Sequence, residues 1–497
     1  MVGTGTQTLN GQLLFNQSTG VISWEDNATL QGNSILVNLG TFLKPAGSGT
    51  SSLTKPWSNR GGTIRVDAGR LEMTSNINDL SGMAFAVAQN ATAFVSGFSL
   101  ANWSGTISGT GAGTVQFGDA NRPANITLAV TDTNGTRPAD ATFNFPQGML
   151  HLTYCSVESA VSQGVPHGTL TNSGSITFDQ TGDQQTRLFN LNLENSGNII
   201  LANAPGTGML MQSSTINNTG TIDINQDSWA TSQYGSTIRN SGLLLKSAGT
   251  GVSTLGGVIM LAGGTVEARS GTLELRGFGD APTSTGSSFI AANGATILLT
   301  EQHYLKGTYT GSGLGTVQIG TTDSNYPSAV IRVDPTGASF NFGDGLLHFV
   351  KGSIYSDNSV GVGILTNNGS ITIDTMNLAS FSTLSALNNA GSISVAPTGQ
   401  LRLTYTTLNN FVGGLIDFQG DGGLTGNGGR LENHGALRRS SGPGTAEISV
   451  GAHLWSEGSI TISTGALRFC KDNDFQIDGA DIRVVQEVFC FNDTATT

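Results

Sequence analysis

Charge is scarce in this sequence, and basic charge most of all. Only 22 of the 497 residues are Lys or Arg and 34 are Asp or Glu, so charged residues make up 11%, against about 25% in an average soluble domain. A helical enzyme would carry more of them, because Lys, Glu and Arg fill exposed helix faces. The net charge is −12 and no basic cluster occurs. We therefore expect neither nucleic acid nor an anionic membrane surface as a partner, since both require a basic face.

Long apolar runs are missing as well. The longest, such as Met83–Ala88 and Gly256–Ala262, are far too short for a helix that spans a bilayer, so we expect no membrane insertion. Even so, 37% of the residues are hydrophobic, which is enough to bury a core and argues against disorder. Clusters of Gly, Ser, Thr and Asn separate short aliphatic runs. That pattern is typical of an all-β chain with many turns.

Cysteine is rare, and its spacing suggests no metal site. The three residues are Cys155, Cys470 and Cys490, and no C-x-x-C pair exists. We interpret Cys155 as a buried free thiol. Cys470 and Cys490 either form a disulfide or stay reduced, because a spacing of 20 residues is compatible with both. Since no phosphate-binding or metal-binding motif occurs either, we expect no cofactor.

What the sequence does contain is a short repeat. The triplet Asn-x-Gly recurs every 22 to 23 residues in two series, with aliphatic residues at alternating positions on both sides. The Asn residues of the first series are Asn172, Asn195, Asn218 and Asn240. Those of the second are Asn367, Asn389 and Asn433, with a degenerate copy at Asn410.

A period of about 22 residues fits one turn of a parallel β-helix with three short strands, and predicts roughly 22 coils. Equivalent side chains of neighbouring coils then stack. Ile176, Ile199 and Ile222 would form an inward aliphatic ladder, and the Asn residues would form an amide ladder at the bend. We interpret Asn and Gly at the bend as residues that tolerate a left-handed backbone conformation.

A longer duplication of about 200 residues lies above the coil period. For example, Gly113-Thr-Val-Gln-Phe-Gly118 returns as Gly315-Thr-Val-Gln-Ile-Gly320. These matches divide the chain into a partial repeat unit at 1–110, a full unit at 111–312 and a second unit at 313–469. The more charged segment 470–497 no longer follows the repeat. It is interpreted as a cap over the open strand edges or as a docking element for a further subunit.

The sequence of the repeats resembles that of large bacterial surface proteins of the autotransporter-passenger and filamentous-haemagglutinin type. An example is Gly168-Thr-Leu-Thr-Asn-Ser-Gly-Ser-Ile-Thr177. The resemblance covers nearly the whole chain to about residue 469. It implies a right-handed β-helix, an extracellular or cell-surface location and a role in adhesion or matrix building. Parallel crossovers favour the same handedness in general.

Parallel β-helices also include polysaccharide-degrading enzymes, which need two carboxylates roughly 5 to 10 Å apart. No Asp-Asp pair occurs here. We interpret Asp223 and Asp227 as outward residues of one strand, exposed to solvent. The cluster of Asp472, Asp474, Asp478 and Asp481 is interpreted as a solvated surface, with a weak calcium site as the alternative.

Histidine and tryptophan give no clearer sign of a site. His151 and His348 occupy the same place in the long repeat, and we detect no second catalytic group at a matched spacing from them. We interpret them as structural residues. The five Trp residues do not recur with the coil period, so a ladder of sugar-binding Trp residues is not indicated.

Together these features predict a secreted, non-enzymatic structural β-solenoid that assembles with copies of itself into a filament or a surface layer. One alternative is an adhesin that binds a host surface or glycans. The other is a polysaccharide-degrading β-helix enzyme of the tailspike type, which would require a close, exposed carboxylate pair.

Overall fold

The structure is a computed structural model of the full chain. It describes residues 5–11, 13–25, 27–74, 77–97, 102–128, 140–159, 168–180, 185–202, 204–277, 284–326, 328–356, 362–374, 379–382, 386–449, 453–470, 474–477, 482–484 and 489–492. The chain divides into two compact units, residues 1–257 and 258–497, and each is described by itself. In both units the described residues form strands and turns and no helix. None of these residues forms a helix that could span a membrane.

The first unit consists of short strands, most of them three to five residues long. They are β1 Thr6–Thr8, β2 Leu14–Asn16, β3 Val21–Ser23, β4 Thr29–Gln31, β5 Leu36–Asn38, β6 Thr41–Lys44, β7 Thr50–Leu53, β8 Trp57–Arg60, β9 Thr63–Val66, β10 Arg70–Met73, β11 Ile77–Ser81, β12 Ala84–Val87, β13 Thr92–Val95, β14 Asn102–Thr110, β15 Thr114–Phe117, β16 Ala124–Leu128, β17 Ala141–Asn144, β18 Leu150–Leu152, β19 Cys155–Ser159, β20 Gly168–Asn172, β21 Ser175–Phe178, β22 Thr186–Phe189, β23 Leu191–Asn195, β24 Asn198–Leu201, β25 Gly208–Gln212, β26 Thr215–Asn218, β27 Thr221–Ile224, β28 Trp229–Gln233, β29 Thr237–Asn240 and β30 Leu243–Lys246.

Strand β31, Val252–Leu261, contains the division between the units. The strands of the second unit follow it. They are β32 Thr265–Ala268, β33 Thr272–Gly277, β34 Ser287–Ala291, β35 Thr296–Gly313, β36 Thr316–Ile319, β37 Ala329–Phe342, β38 Leu347–Phe349, β39 Gly352–Ser356, β40 Ile364–Asn367, β41 Ser370–Ile373, β42 Ala379–Ser382, β43 Ala386–Asn389, β44 Ser392–Val395, β45 Gln400–Thr404, β46 Thr407–Asn410, β47 Leu415–Phe418, β48 Gly423–Asn427, β49 Arg430–Asn433, β50 Ala436–Arg439, β51 Thr445–Ser449, β52 His453–Ser456, β53 Ser459–Ile462, β54 Ala466–Cys470, β55 Asp474–Ile477, β56 Ile482–Val484 and β57 Phe489–Asn492.

The strands pair in parallel, one coil on the next. From β20 to β28 each strand pairs with the third strand after it, as β20 does with β23 and β23 with β26. Three strands therefore make one coil. Because β20 residues oppose β23 residues 23 positions later, the register equals the repeat period seen in the sequence. The fold is the all-β parallel β-solenoid that the repeat predicts.

Alternate residues of each strand point into the solenoid, where they stack in rows. Ile176, Ile199, Ile222 and Leu244 are paired in register on successive coils and all are buried, as the aliphatic ladder requires. In the second unit the corresponding row contains Ile371, Ile393, Ile416, Leu437 and Ile460. Each row removes apolar surface from water at about 25 cal/mol per Å². In a sequence with few charged residues, this burial of apolar side chains is the main source of stability.

Aromatic side chains fill the coil that precedes each Asn row. Phe143 and Phe145 meet edge to face at 6.0 Å in the first unit, and Phe340 and Phe342 do so at 5.9 Å in the second. Phe143 pairs in register with Asn172, and Phe340 pairs with Asn367. The interior therefore changes from aromatic to amide at the same point of both long repeats.

The solenoid has somewhat fewer turns than the 22 expected, because some coils are longer than 22 residues. Val115 opposes Leu150, 35 positions later, and Val317 opposes Leu347, 30 positions later. The boundaries at 110, 312 and 469 describe sequence duplication and stay predictions. The segment 470–497 was expected to leave the repeat, but its described strands β55, β56 and β57 pair in parallel with β52, β53 and β54 at the coil spacing. The choice between a cap and a docking element stays a prediction.

Candidate functional site

The Asn residues of the first series form a buried row of amides in the first unit. Asn172 Nδ2 donates to Asn195 Oδ1 at 2.7 Å, and Asn195 Nδ2 donates to Asn218 Oδ1 at 2.6 Å. The last bond joins Asn218 Nδ2 to Asn240 Oδ1 at 2.7 Å. The first three amides also donate to a backbone carbonyl of the next coil, as Asn195 does to Thr221 at 3.1 Å. All four side chains are buried, so this row joins coils and presents nothing to a ligand.

The second unit contains the same row. Asn367 donates to Asn389 at 2.8 Å, and Asn389 donates to Asn410 at 2.8 Å. Asn410 donates to Asn433 at 2.7 Å, and Asn433 ends the row on Ser456 Oγ at 3.0 Å. The degenerate triplet at Asn410 therefore keeps its amide in the row despite the extra residue before its glycines.

A third row was missed by the sequence analysis. Asn16 Nδ2 donates to Asn38 Oδ1 at 2.6 Å, and Asn38 Nδ2 donates to Asn59 Oδ1 at 3.0 Å. The signal was present, because Asn38-Leu-Gly40 and Asn59-Arg-Gly61 are the same triplet. The row stops where Asn59 faces the sulfur of Met83 at 3.7 Å, since a thioether is only a weak acceptor.

A left-handed backbone does not explain the glycines of the first series, although Gly413 of the second series has a φ of +88°. None of the four Asn residues and four glycines of the first series has a positive φ. A Cβ atom on Gly197 would lie 2.0 Å from the carbonyl oxygen of Gly174, and one on Gly220 would lie 2.1 Å from that of Gly197. Glycine is therefore required because the backbone of the preceding coil occupies the space of a side chain.

Two His–Asp pairs lie at equivalent places of the long repeat. His151 Nδ1 is 2.6 Å from Asp179 Oδ2, and His348 Nδ1 is 2.5 Å from Asp374 Oδ2. In each case Nε2 faces a glycine carbonyl, that of Gly148 at 3.1 Å or of Gly345 at 2.8 Å. The aspartates follow their His residues at unequal spacings, 28 and 26 residues, so a search for a second group at a matched spacing does not find them although they are structurally equivalent.

The aspartates escaped notice because they lie one coil later in the sequence. His151 opposes Thr177 and His348 opposes Thr372, and each aspartate follows two residues after that threonine. Both nitrogens of each ring face an acceptor, which requires two ring protons and favours the charged form. The carboxylate hydrogen bond raises the pKa of His151 and of His348, while burial opposes the shift. A ring with a raised pKa and both nitrogens engaged in contacts with acceptors is poorly placed to take a proton from a substrate.

Three buried cations form a further repeated feature. They are Lys44, Lys246 and Arg439. Each is the last residue of its strand, and its side chain is fully buried. Each precedes a Gly-x-Gly loop whose carbonyl oxygens accept hydrogen bonds from its side chain. The segments are Lys44-Pro-Ala-Gly-Ser-Gly49, Lys246-Ser-Ala-Gly-Thr-Gly251 and Arg439-Ser-Ser-Gly-Pro-Gly444. This recurrence could have been found in the sequence, but a lysine in an all-β repeat is usually a surface residue.

Lys246 shows the geometry of this cradle. Its Nζ donates to Asp227 Oδ1 at 2.8 Å, to the carbonyl of Ala248 at 3.0 Å and to Ser253 Oγ at 2.8 Å. The hydrogen bond from Lys246 lowers the pKa of Asp227. The interpretation of Asp227 as a solvated strand residue is therefore wrong, because β27 ends at Ile224 and the carboxylate closes the cradle. Arg439 is held similarly by Asp421 Oδ1 at 2.8 Å.

One close pair of carboxylates deserves comparison with a glycosidase site. Arg276 Nε lies 3.1 Å from Glu274 Oε1 and 3.9 Å from Glu301 Oε1, which keeps the two acids within roughly 10 Å of each other. However, the Glu274 side chain is fully buried and also accepts a proton from Thr300 at 2.6 Å. Burial raises the pKa of Glu301. A fully buried Glu274 has no access to a sugar bond, so this pair is a structural ion cluster.

The tryptophans belong mainly to the core. Trp24, Trp57 and Trp103 are buried, and only Trp229 and Trp455 are partly exposed. Cys155 is a buried free thiol, as expected, and burial raises its pKa. Burial also raises the pKa of the Cys470 thiol, to about 11. The side chain of Cys490 lies outside the described residues, so the disulfide stays a prediction.

The acidic cluster of the C-terminal segment lies almost entirely outside the described residues. Asp472, Asp478 and Asp481 lie outside the described residues, and for Asp474 only the backbone is described. The solvated surface and the weak calcium site stay open as predictions. Within the described residues, no group of three His, Cys, Asp or Glu side chains is arranged to hold a metal ion.

A surface trough of about 550 Å³ runs along the Asn-x-Gly corner of the second unit, and we call it the corner trough. It spans three successive coils. Its lining residues are Gly413, Gly414, Leu415, His434, Gly435, Ala436, Glu457, Gly458 and Ser459. His434 Nδ1 lies 3.1 Å from Glu457 Oε2, and the His434 ring meets Trp455 edge to face at 5.5 Å.

The chain matches no protein-family model and no curated protein sequence. The structure establishes the β-solenoid and its repeats. The likeness to autotransporter passengers and filamentous haemagglutinins remains a resemblance of the repeat sequence. Fold alone does not determine function, which has to be argued from the groups described above.

Proposed function

We propose that this protein is a secreted, non-enzymatic structural β-solenoid that associates with copies of itself as a filament or surface-layer subunit. The observation that carries the proposal is the use of the reactive side chains. The amide rows, the His–Asp pairs and the buried cations are all hydrogen-bonded between or within coils. Groups of the kinds that enzymes use for chemistry here hold the solenoid together.

A patch of outward apolar side chains supports self-association. Leu13, Phe15 and Ile35 are 63%, 49% and 40% exposed. Because Leu14 opposes Leu36, Leu13 and Ile35 lie on neighbouring coils of one face. We call these three residues the apolar patch. Covering such a patch with a second copy would remove apolar area from water, and the low overall charge opposes close approach only weakly.

The proposal is tested by negative-stain electron microscopy of the purified chain over a hundredfold range of concentration. Assembly that grows with concentration is expected, together with its loss in the variant Phe15→Glu. Tyr234→Glu is the matched control, because Tyr234 is 77% exposed elsewhere on the first unit. Circular dichroism verifies that both variants keep their strands.

Discrete particles at every concentration would contradict the assembly proposal. An equal loss of assembly in Tyr234→Glu would show that a negative charge anywhere prevents association, which would remove the apolar patch from the argument. Release of reducing ends from any polysaccharide by the wild-type chain would overturn the non-enzymatic part. A variant Glu301→Gln would then identify whether the carboxylates near Arg276 are responsible.

A further inference from the structure

The corner trough has a floor of bare backbone. A Cβ atom on Gly435 would lie 2.3 Å from the carbonyl oxygen of Gly414, and one on Gly458 would lie 2.0 Å from that of Gly435. Side chains are therefore excluded along the corner. Three coils at a spacing of about 4.8 Å give the trough a length of roughly 10 Å. Its volume lies within the range of about 300 to 1,000 Å³ found for ligand sites.

The lining of the trough includes polar side chains, and two exposed apolar residues precede it in the chain. His434, Glu457 and Ser459 contribute an imidazole, a carboxylate and a hydroxyl. Phe411 and Val412, which directly precede the glycines of the floor, are 40% and 85% exposed. Such exposure of a Val and a Phe in a corner is not needed by the solenoid, because the corners of the first series, Asn172 to Asn240, carry Ser or Thr instead.

The chemistry of the trough excludes several kinds of occupant. Ala436 N donates to the Gly414 carbonyl at 2.8 Å and Ser459 N donates to the Gly435 carbonyl at 2.9 Å, so the floor offers no open strand edge to a peptide. An anion would meet the Glu457 carboxylate. A cation would find one carboxylate that already faces His434. What remains is a neutral ligand with many hydroxyl groups and an apolar face.

We propose that the corner trough binds a neutral oligosaccharide, with His434 and Glu457 as its hydrogen-bonding residues. Sugar hydroxyls both donate and accept, so they can bridge the imidazole and the carboxylate. The apolar face of a sugar ring packs on Phe411 and Val412 at the end of the trough. This inference does not depend on self-association, because the apolar patch belongs to the first unit and the trough to the second.

The test is isothermal titration calorimetry of the full chain with neutral hexasaccharides of glucose and of N-acetylglucosamine, and with an oligogalacturonate as the acidic comparison. Binding of at least one neutral probe is expected. His434→Ser and Glu457→Ser should each weaken it at least tenfold, because each removes one of the two hydrogen-bonding groups. Serine occupies this position in most corners of the first series, so it is compatible with the fold. Asn368→Ser is the matched control, since it makes the same type of change in the same row outside the trough.

The absence of binding by every neutral probe at millimolar concentration would overturn the proposal. So would binding that survives both serine variants, or tighter binding of the acidic probe. Failure here would leave the assembly seen by electron microscopy unaffected, and failure of assembly would leave the calorimetry unaffected. Thermal unfolding of each serine variant verifies that lost binding is not lost folding.

Discussion

The Asn-x-Gly corners of the two units share an interior and differ at the surface. In both, buried amides run from coil to coil at 2.6 to 2.8 Å. In the first series, Asn172 to Asn240, the middle residue of the triplet is Ser or Thr, and its hydroxyl donates back to the preceding coil, as Ser196 does to Asn172 O at 3.2 Å and Thr219 to Asn195 O at 3.0 Å. In the second unit this position holds Asn368, Ala390 and His434.

The difference shows which parts of a coil the fold requires. The amide and the glycine are fixed because the interior and the neighbouring backbone leave room for nothing else. The middle residue faces solvent and can either strengthen the corner or serve another purpose. In the first unit it strengthens the corner, and in the second it lines the corner trough. Substitutions that act on these positions separately can break or sharpen the comparison.

The largest effect is expected at the buried cations, which the two units have in common. Lys246→Met and Arg439→Met should each lower the free energy of unfolding by about 3 kcal/mol, because the loop carbonyls and the acid of each cradle lose their donor. Denaturant unfolding measures this loss. Arg65→Met is the control, since the Arg65–Asp67 pair is exposed and no measurable change is expected. Equal stability of all three variants would show that the cradles are not structural.

The amide rows should be the next most sensitive feature. Asn195→Ala and Asn389→Ala each remove two bonds of a row and take the donor from a buried amide oxygen, that of Asn218 or Asn410, at a cost of about 2 kcal/mol in either unit. Asn172→Ala should cost less, because Asn172 is the first of its row and its Oδ1 has no partner within the described residues. A uniform effect at all three positions would contradict the view that the rows act as connected chains of hydrogen bonds.

A pH dependence is expected from the His–Asp pairs of both units. The pKa of each His is raised in the folded state, so its contribution is fully present below the unfolded pKa of about 6.5. It is lost as the pH rises through the raised folded value. Unfolding free energy measured from pH 6 to 9 should therefore fall in the wild type. The double variant His151→Gln/His348→Gln should show a flatter profile, and an unchanged slope would refute the role of the pairs.

The smallest effect is expected at the middle position of the triplets, where the two units differ. Ser196→Ala should cost about 1 kcal/mol through the loss of one coil-to-coil hydrogen bond. His434→Ala should leave the melting temperature nearly unchanged, because its contact with Glu457 is exposed. Thermal unfolding compares the two. A larger loss for His434→Ala would mean that the second corner is also built for stability.

The fold class could be predicted from the sequence, because the strand register of a solenoid equals the repeat period of its sequence. Stacked residues are one coil apart, so the period alone places Asn172 beside Asn195 and Ile176 beside Ile199. The same logic failed at the His–Asp pairs, although Asp179 and Asp374 obey it. A pair formed by residues offset by two positions on neighbouring coils is invisible to a search for exact repeats.

The buried cations were missed for a different reason. Composition and alternation predict which positions face inward, but they assign a lysine at such a position to the surface. The carbonyl oxygens of the loop that follows Lys246, together with Asp227, offset the cost of removing the charged side chain from water. The corner trough was likewise beyond prediction, since it arises from the absence of side chains on three coils together with the rims formed by His434 and Glu457.

The amide rows also give the solenoid a unit of length. Every amide of a row donates in the same direction along the chain, so Asn172 would find the same acceptor on Asn218 as it now finds on Asn195. Removal of the 23 residues from Asn195 to Asn217 would take out one complete coil and restore each inward row and each corner glycine to a matching neighbour. Solenoids of this type can therefore lengthen or shorten by whole coils without redesign of the interior, whereas the loss of any smaller number of residues would shift the aliphatic, amide and glycine rows out of step together.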